Sequence, residues 1–102
     1  MQIDIEATGI ELTPPLREYI EEKIGKLDKL LKKFDEGSVS VRVEIGRTTK
    51  HHRQGDVYRA EANLRFPGGF LRAEHQGEDV RVAVNEVREK LQREIEKLKA
   101  SH

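Results

Sequence analysis

An α+β fold of two layers, in the order β-α-β-β-β-α, is predicted by three features of the sequence. Two segments repeat apolar residues at helical spacing, four shorter ones alternate strictly, and the alternating segments keep their apolar residues on one side. Both helices must then cover one face of a four-stranded, mainly antiparallel sheet. The clearest element is the segment Glu78 to Lys99. At about 100° per residue, Val80, Val84, Val87, Leu91, Ile95 and Leu98 share a face, with Ala83 at its margin. Lys90, Arg93 and Lys97 line one flank of this stripe, and Arg81, Arg88 and Lys99 line the other.

The remaining elements follow in chain order. Ile3 and Ile5 alternate with Asp4 and Glu6, which predicts a half-buried first strand over Gln2 to Glu6. Gly9 is the expected bend of the connection that follows. Thr13 reads as an N-cap, because Pro14 suits the first helical position, where no amide hydrogen is needed. Leu16, Ile20, Ile24, Leu27, Leu31 and Phe34 then form one stripe of a helix that ends at Asp35-Glu36-Gly37. Lys26, Lys29 and Lys33 share a flank, and Lys23 lies between that flank and the stripe. Gly25 falls on the outer surface, where it costs about 1 kcal/mol against Ala.

From Ser38 the period changes to two, with Val39, Val41, Val43 and Ile45 inward. Gly46 to Asp56 is polar and basic and reads as a hairpin loop. Tyr58, Ala60, Ala62, Leu64 and Phe66 alternate inward again. If Gly68-Gly69 forms a two-residue type I′ loop, Phe66 faces Leu71, Leu64 faces Ala73 and Ala62 faces His75. The opposite face then shows Arg42, Glu44, Arg59, Glu61, Asn63, Arg65, Arg72 and Glu74, with Arg65 unfavourably opposite Arg72 and with Phe70 as its one aromatic.

Composition narrows the function. A chain of 102 residues suits a single domain, 1–102. Lys plus Arg and Asp plus Glu both number 19, so no overall field draws it to nucleic acid or to a membrane, and any attraction is local. There is no cysteine, and no run approaches the roughly 18 apolar residues of a membrane span. Met1 leads into alternation rather than a secretory leader, so a soluble, cytoplasmic protein is expected.

Catalysis has little to work with. His51 and His52 adjoin in the polar loop, but neighbours in extended chain point apart, and no cysteine or carboxylate stands at metal-ligand spacing. Neither a metal nor a cofactor is expected, and no small-molecule substrate. His75 reads as a hydrogen-bonded structural histidine at the rim of the core. Gly68-Gly69 precedes no helix and is no phosphate cradle. The basic helix flanks carry the functional signal, although cations at helical spacing often mean only a solvated face. Glu22 and Lys26 are a potential ion pair, whereas Arg93 and Lys97 stand one turn apart as like charges that an anionic partner would relieve. Two other readings stay open: a protein-interaction module using the open sheet face or an edge strand, and a nuclease centred on His51 and His52.

The run Ile10-Glu11-Leu12-Thr13-Pro14, Leu16-Arg17-Glu18-Tyr19-Ile20, Lys23 and Lys26-Leu27-Asp28-Lys29, followed later by Gly77-Glu78-Asp79, Lys90-Leu91, Arg93 and Lys97-Leu98, resembles the ribosome hibernation promoting factors and the related ribosome-associated inhibitor of translation. The resemblance covers nearly the whole chain. It implies a fold like that of double-stranded-RNA-binding domains. It also implies a non-enzymatic translation inhibitor that binds the small ribosomal subunit near the decoding site, blocks transfer and messenger RNA, and stores ribosomes inactive. The contacts it implies to ribosomal RNA are Lys23, Lys26, Lys29, Lys90, Arg93 and Lys97. Where the family commonly has a hydrophobic-Tyr pair and later an Asp, this chain has Val80-Arg81 and Asn85. Ending at His102, it is similar to the short form, which implies no ribosome pairing through a C-terminal domain.

Overall fold

Successive side chains of a strand point to opposite faces, and this sorts β1 (Gln2–Thr8), β2 (Ser40–Thr48), β3 (Val57–Phe66) and β4 (Gly69–Gly77) into an apolar and a polar side. The structure, a computed structural model, describes residues 1–48 and 57–101. The strands form one sheet in the order β1-β2-β3-β4. β1 runs parallel to β2, with Ile3 opposite Val41 and Ile5 opposite Val43, while β2, β3 and β4 are antiparallel neighbours. The sheet is therefore mixed, and its one parallel pair is joined by a helical crossover, as parallel neighbours require.

The helices α1 (Pro14–Gly25) and α2 (Val80–Ala100) cover the apolar side. Ile20, Ile24 and Leu27 meet Val41, Val43 and Leu64 of the sheet and Val84, Val87, Leu91 and Ile95 of α2 in one core. Each such side chain contributes about 1.5–3 kcal/mol by leaving water. α2 lies against β3 and β4, and α1 packs on α2 and β1. Both N-termini are capped, α1 by Thr13 as the sequence suggests and α2 by Asp79. Thr13 Oγ1 accepts the Leu16 N–H at 3.3 Å, and Asp79 Oδ1 accepts from Arg81 at 2.8 Å and Val82 at 3.4 Å.

Three local features differ from the sequence reading. The first helix does not continue to Phe34; after Gly25 it tightens into a 3₁₀ segment, Lys26–Leu31, followed by a second short 3₁₀ turn, Glu36–Ser38. Gly25, the weakest helix former beyond the first turn, stands where the change occurs. β2 begins at Ser40 and runs on to Thr48, so Gly46, Arg47 and Thr48 are strand rather than loop. The rest of that loop, with His51 and His52, lies outside the described residues. The third difference is the hairpin, which turns on Pro67-Gly68 rather than Gly68-Gly69.

Phe66 pairs with Gly69, Leu64 with Leu71 and Ala62 with Ala73. Gly68 has φ 95° whereas Gly69 is not in the positive-φ region, so a type I′ loop is excluded and Pro then Gly fits a type II turn. The shift is by two residues, which keeps every side chain on its expected face. It also separates Arg65 from Arg72, since Arg65 now stands opposite Phe70 and Arg72 opposite Asn63.

The polar face neutralises itself. Glu61, only 7% exposed, pairs with Arg72 at 2.8 Å and Arg59 at 2.9 Å and accepts from Asn63 at 3.3 Å. Burial pushes its carboxyl up, but hydrogen bonds from Asn63 and Arg59 and the charges of Arg72 and Arg59 together outweigh that and leave it below the ordinary glutamate value. Arg42 pairs with Glu6 and Glu44 in the same manner.

Two outcomes follow for stability. Gly9, at φ 71° with the Arg47 carbonyl 3.2 Å from where a Cβ would stand, should cost about 1–2 kcal/mol when replaced by Ala, read as a lower urea midpoint. Because the folded-state pKa of Glu61 is depressed, its stabilisation is present above the unfolded value and lost as pH falls through the folded one. Glu61→Gln should flatten that acid limb and cost about 1–3 kcal/mol near neutral pH. Urea titrations over a pH series that superimpose for the two proteins would contradict this.

Candidate nucleic-acid interface

Both helices bury their stripes in the same sheet face, so their flanks meet, and the first contact along the seam is aromatic. The Tyr19 hydroxyl donates to the Arg81 carbonyl at 3.1 Å. Its ring is flanked by two cations, with Lys23 Nζ 5.5 Å and Arg81 Cζ 5.7 Å from the centroid. Tyr19 is thereby fixed between α1 and α2, and each helix contributes a positive charge beside it.

Lys26 follows Lys23 on the α1 side, and Arg88 follows Arg81 on the same flank of α2. Lys23 lowers the pKa of Lys26, through its charge and then through side-chain contact; desolvation and the Arg88 charge act the same way, and Glu22 opposes them. The potential Glu22–Lys26 pair is thus outweighed by like charge. Arg88 is 18% exposed and held by its own helix: Nη1 donates to Gln92 Oε1 at 2.7 Å and Nη2 to Asn85 Oδ1 at 3.2 Å, with Glu89 at 3.6 Å. Its Nε is buried and meets no acceptor among the described residues.

The six residues expected to contact RNA fall into two groups. Lys23 and Lys26 lie on the seam, and Lys29 is exposed on the 3₁₀ segment, where residues three apart superpose and Lys29 follows Lys26 on one edge. Lys90, Arg93 and Lys97 lie on the far flank of α2, toward β4. Lys90 Nζ donates to the Glu74 carbonyl at 2.8 Å and sits 3.4 Å from His75 Nδ1, which makes His75 the partnered rim histidine expected. Lys97 pairs with Glu94 at 3.4 Å, so it is not the uncompensated charge that the Arg93/Lys97 spacing suggests. Arg93 is exposed and borders a shallow cleft with Leu71, Arg72, Ala73 and Glu74. The α2 cation that meets α1 is Arg81, at the Tyr19 ring, and Arg88 lies on the same flank of α2. The sequence places them together on the other flank; what it lacks is any sign of which flank faces the neighbour. Tyr19 carried no signal beyond its place in the motif.

Lys26 should titrate below the ordinary lysine range, and Lys23→Gln should move it back up. Side-chain NMR of Lys26 over an alkaline pH series measures both, and a Lys26 unaffected by the substitution would mean that the two ammoniums do not share the seam.

The chain matches the family model described as Sigma 54 modulation protein / S30EA ribosomal protein over residues 3–102. It is 31% identical over its whole length to the Ribosome hibernation promotion factor of Deinococcus radiodurans, of which it spans about half, 51%. Over 97% of its length it is 30% identical to the Ribosome hibernation promoting factor of Pseudomonas putida, of which it spans 87%. Among solved structures, the N-terminal domain of Thermus thermophilus Protein Y superimposes with a TM-score of 0.74 at 25% identity, covering 96% of this chain and 99% of that one. A ribosomal subunit interface protein from Coxiella burnetii shares the fold with a TM-score of 0.69 at 22% identity, covering 98% of this chain and 99% of that one.

Proposed function

The chain belongs to the Sigma 54 modulation protein / S30EA ribosomal protein family, and from that premise we propose that it is a ribosome hibernation factor acting as one ribosome-binding domain, 1–102. It binds the small ribosomal subunit through ribosomal RNA, near the decoding site, and keeps transfer and messenger RNA out without catalysing a reaction. The proposed setting is the cytoplasm. No helix among the described residues is long and apolar enough to cross a membrane.

One observation carries the RNA reading: Lys23 of α1 and Arg81 of α2 flank the Tyr19 ring at 5.5 and 5.7 Å from its centroid, with Lys26 beside Lys23, and among the described residues no carboxylate pairs with any of the three. An electrically balanced chain thus keeps a local positive seam. Phosphates placed against it release condensed counterions, giving salt-sensitive and largely sequence-independent affinity, while the rigid helices select the shape of folded RNA. Lys29 extends the seam, and Arg93 offers a further contact on the outer flank. Lys90 and Lys97 join only by giving up their present partners. The open sheet face supports a second reading, a protein-docking surface, because Phe70 is 67% exposed beside Arg42 and Arg65.

Co-sedimentation with purified small subunits across a salt series tests the proposal. The wild-type chain should pellet with the subunits at low salt and be released as salt rises. Reversing Lys26 and Lys29 to Glu should weaken binding by about tenfold or more and reduce the salt slope by about 2, and reversing Lys90 and Arg93 should do less. A chain that stays in the supernatant at low salt removes the proposal. Binding that ignores salt and survives nuclease transfers the case to the sheet face.

A further inference from the structure

On the sheet face that the helices leave open, the outward side chains fall into rows that cross the strands. One row runs Glu6, Glu44, Glu61 and Glu74, each directly opposite the next, and Arg42, Arg59 and Arg72 answer it with ion pairs. These charges neutralise one another. Nearer the hairpin of β3 and β4, another row runs Gln2, Ser40, Arg65 and Phe70. Its last two members are unengaged: among the described residues Arg65 is exposed with no carboxylate in pairing distance, and Phe70 is 67% exposed with no aromatic or cationic partner. With Asp4, Ser40, Arg42 and Asn63 they line a cleft of about 240 Å³.

We infer that this cleft docks an extended protein segment carrying one carboxylate two residues from one large apolar side chain, the carboxylate against Arg65 and the apolar group against Phe70. This gives a partner chemistry to the sheet-face docking reading above. It is separate from the helix seam, which lies in the layer on the other side of the sheet.

A lone exposed phenylalanine is ordinary on a protein surface. Phe70 differs because its direct cross-strand neighbour is the unanswered cation of the same cleft. Residues opposed on antiparallel strands stand about 5 Å apart, and in an extended segment residues i and i+2 share a face about 6.6 Å apart. One such segment therefore reaches both groups. Ser40 and Asn63 offer it a hydroxyl and an amide for its backbone.

Charge decides against nucleic acid as the occupant. A phosphate chain entering at Arg65 finds no second uncommitted cation in the cleft, because Arg42 already pairs with Glu6 and Glu44, and Asp4 adds an acid. The glutamate row begins four residues of strand away, at Glu61, or about 13 Å. A polyanion running along the face meets it; a single carboxylate does not.

Amide NMR with the blocked pentapeptide Thr-Glu-Thr-Phe-Thr tests the site. Titrated into the millimolar range, the peptide should shift the amides of Ser40, Asn63, Arg65 and Phe70 in a saturable way. Arg65→Gln and Phe70→Ser should each weaken binding about 3- to 10-fold, as should Gln for the peptide's Glu or Ala for its Phe. Both positions are exposed, so an unchanged urea midpoint should confirm that the variants fold. A single-stranded tetranucleotide should leave the four amides unmoved. The inference is overturned by the absence of a saturable shift there, by equal response to the Glu and Gln peptides, or by a tetranucleotide that shifts the same amides. Peptide binding without co-sedimentation on small subunits keeps the cleft and removes the RNA reading, and co-sedimentation without peptide shifts does the reverse.

Discussion

The sheet has one apolar face, and both helices must bury their stripes on it. Val41, Val43, Ala62 and Leu64 offer that surface, and among the described residues no other is apolar enough to receive Ile20 and Ile24 from one side and Leu91 and Ile95 from the other. The helices are therefore forced side by side, and whatever their flanks carry is brought together with them. Several buried aliphatic side chains at about 1.5–3 kcal/mol each far outweigh like-charge repulsion of a few tenths per exposed pair. The fold tolerates a cationic seam because the packing beneath it leaves the helices no other arrangement.

Electrical balance over the whole chain is compatible with that seam because the acids are used elsewhere. On the polar sheet face Glu61 and Glu74 answer Arg59 and Arg72, and Glu6 and Glu44 answer Arg42. At the other end of β1 the Met1 ammonium lies 3.7 Å from Asp28 and 3.6 Å from Glu36. These pairs draw carboxylates away from the helix seam, where Lys23, Lys26 and Arg81 have none in pairing distance among the described residues. Period two on the strands and period 3.6 on the helices have thus separated matched from unmatched charge. Net charge, which sums over both, conceals the separation.

The elements were legible because each rests on a local signal. Thr13-Pro14 marks a helix start, and alternation at Val39 to Ile45 and Tyr58 to Phe66 marks strands; the structure uses all of them. What failed depends on geometry that spacing does not encode. Leu27, Leu31 and Phe34 fit an α-helical stripe well enough to hide the change to 3₁₀ winding at Gly25. The hairpin register hung on whether Pro67 or Gly69 shares the loop with Gly68, and Pro at the first loop position rules out the mirror-image turn. The seam between the helices was half legible. Lys23 and Lys26 could be named from the motif, but which flank of α2 faces α1 needed the order of the sheet, because it is the position of α2 over β3 and β4 that turns the flank of Arg81 toward α1.

That same position gives the outer flank of α2 a different task. β4 is an edge strand, and edge strands carry unpaired backbone groups that invite pairing with another chain. Lys90 reaches over this edge and donates to the Glu74 carbonyl, with His75 beside it. A carbonyl occupied in this way is less available to an incoming strand, and a charged ammonium at the rim opposes the approach of apolar chain. Lys90 therefore serves the integrity of the fold, whereas Arg81 and Arg88, on the opposite flank of the same helix, face the seam. Helical spacing alone shows two equivalent basic edges; the neighbours on each side divide them into one that guards a strand edge and one that borders the seam between the helices.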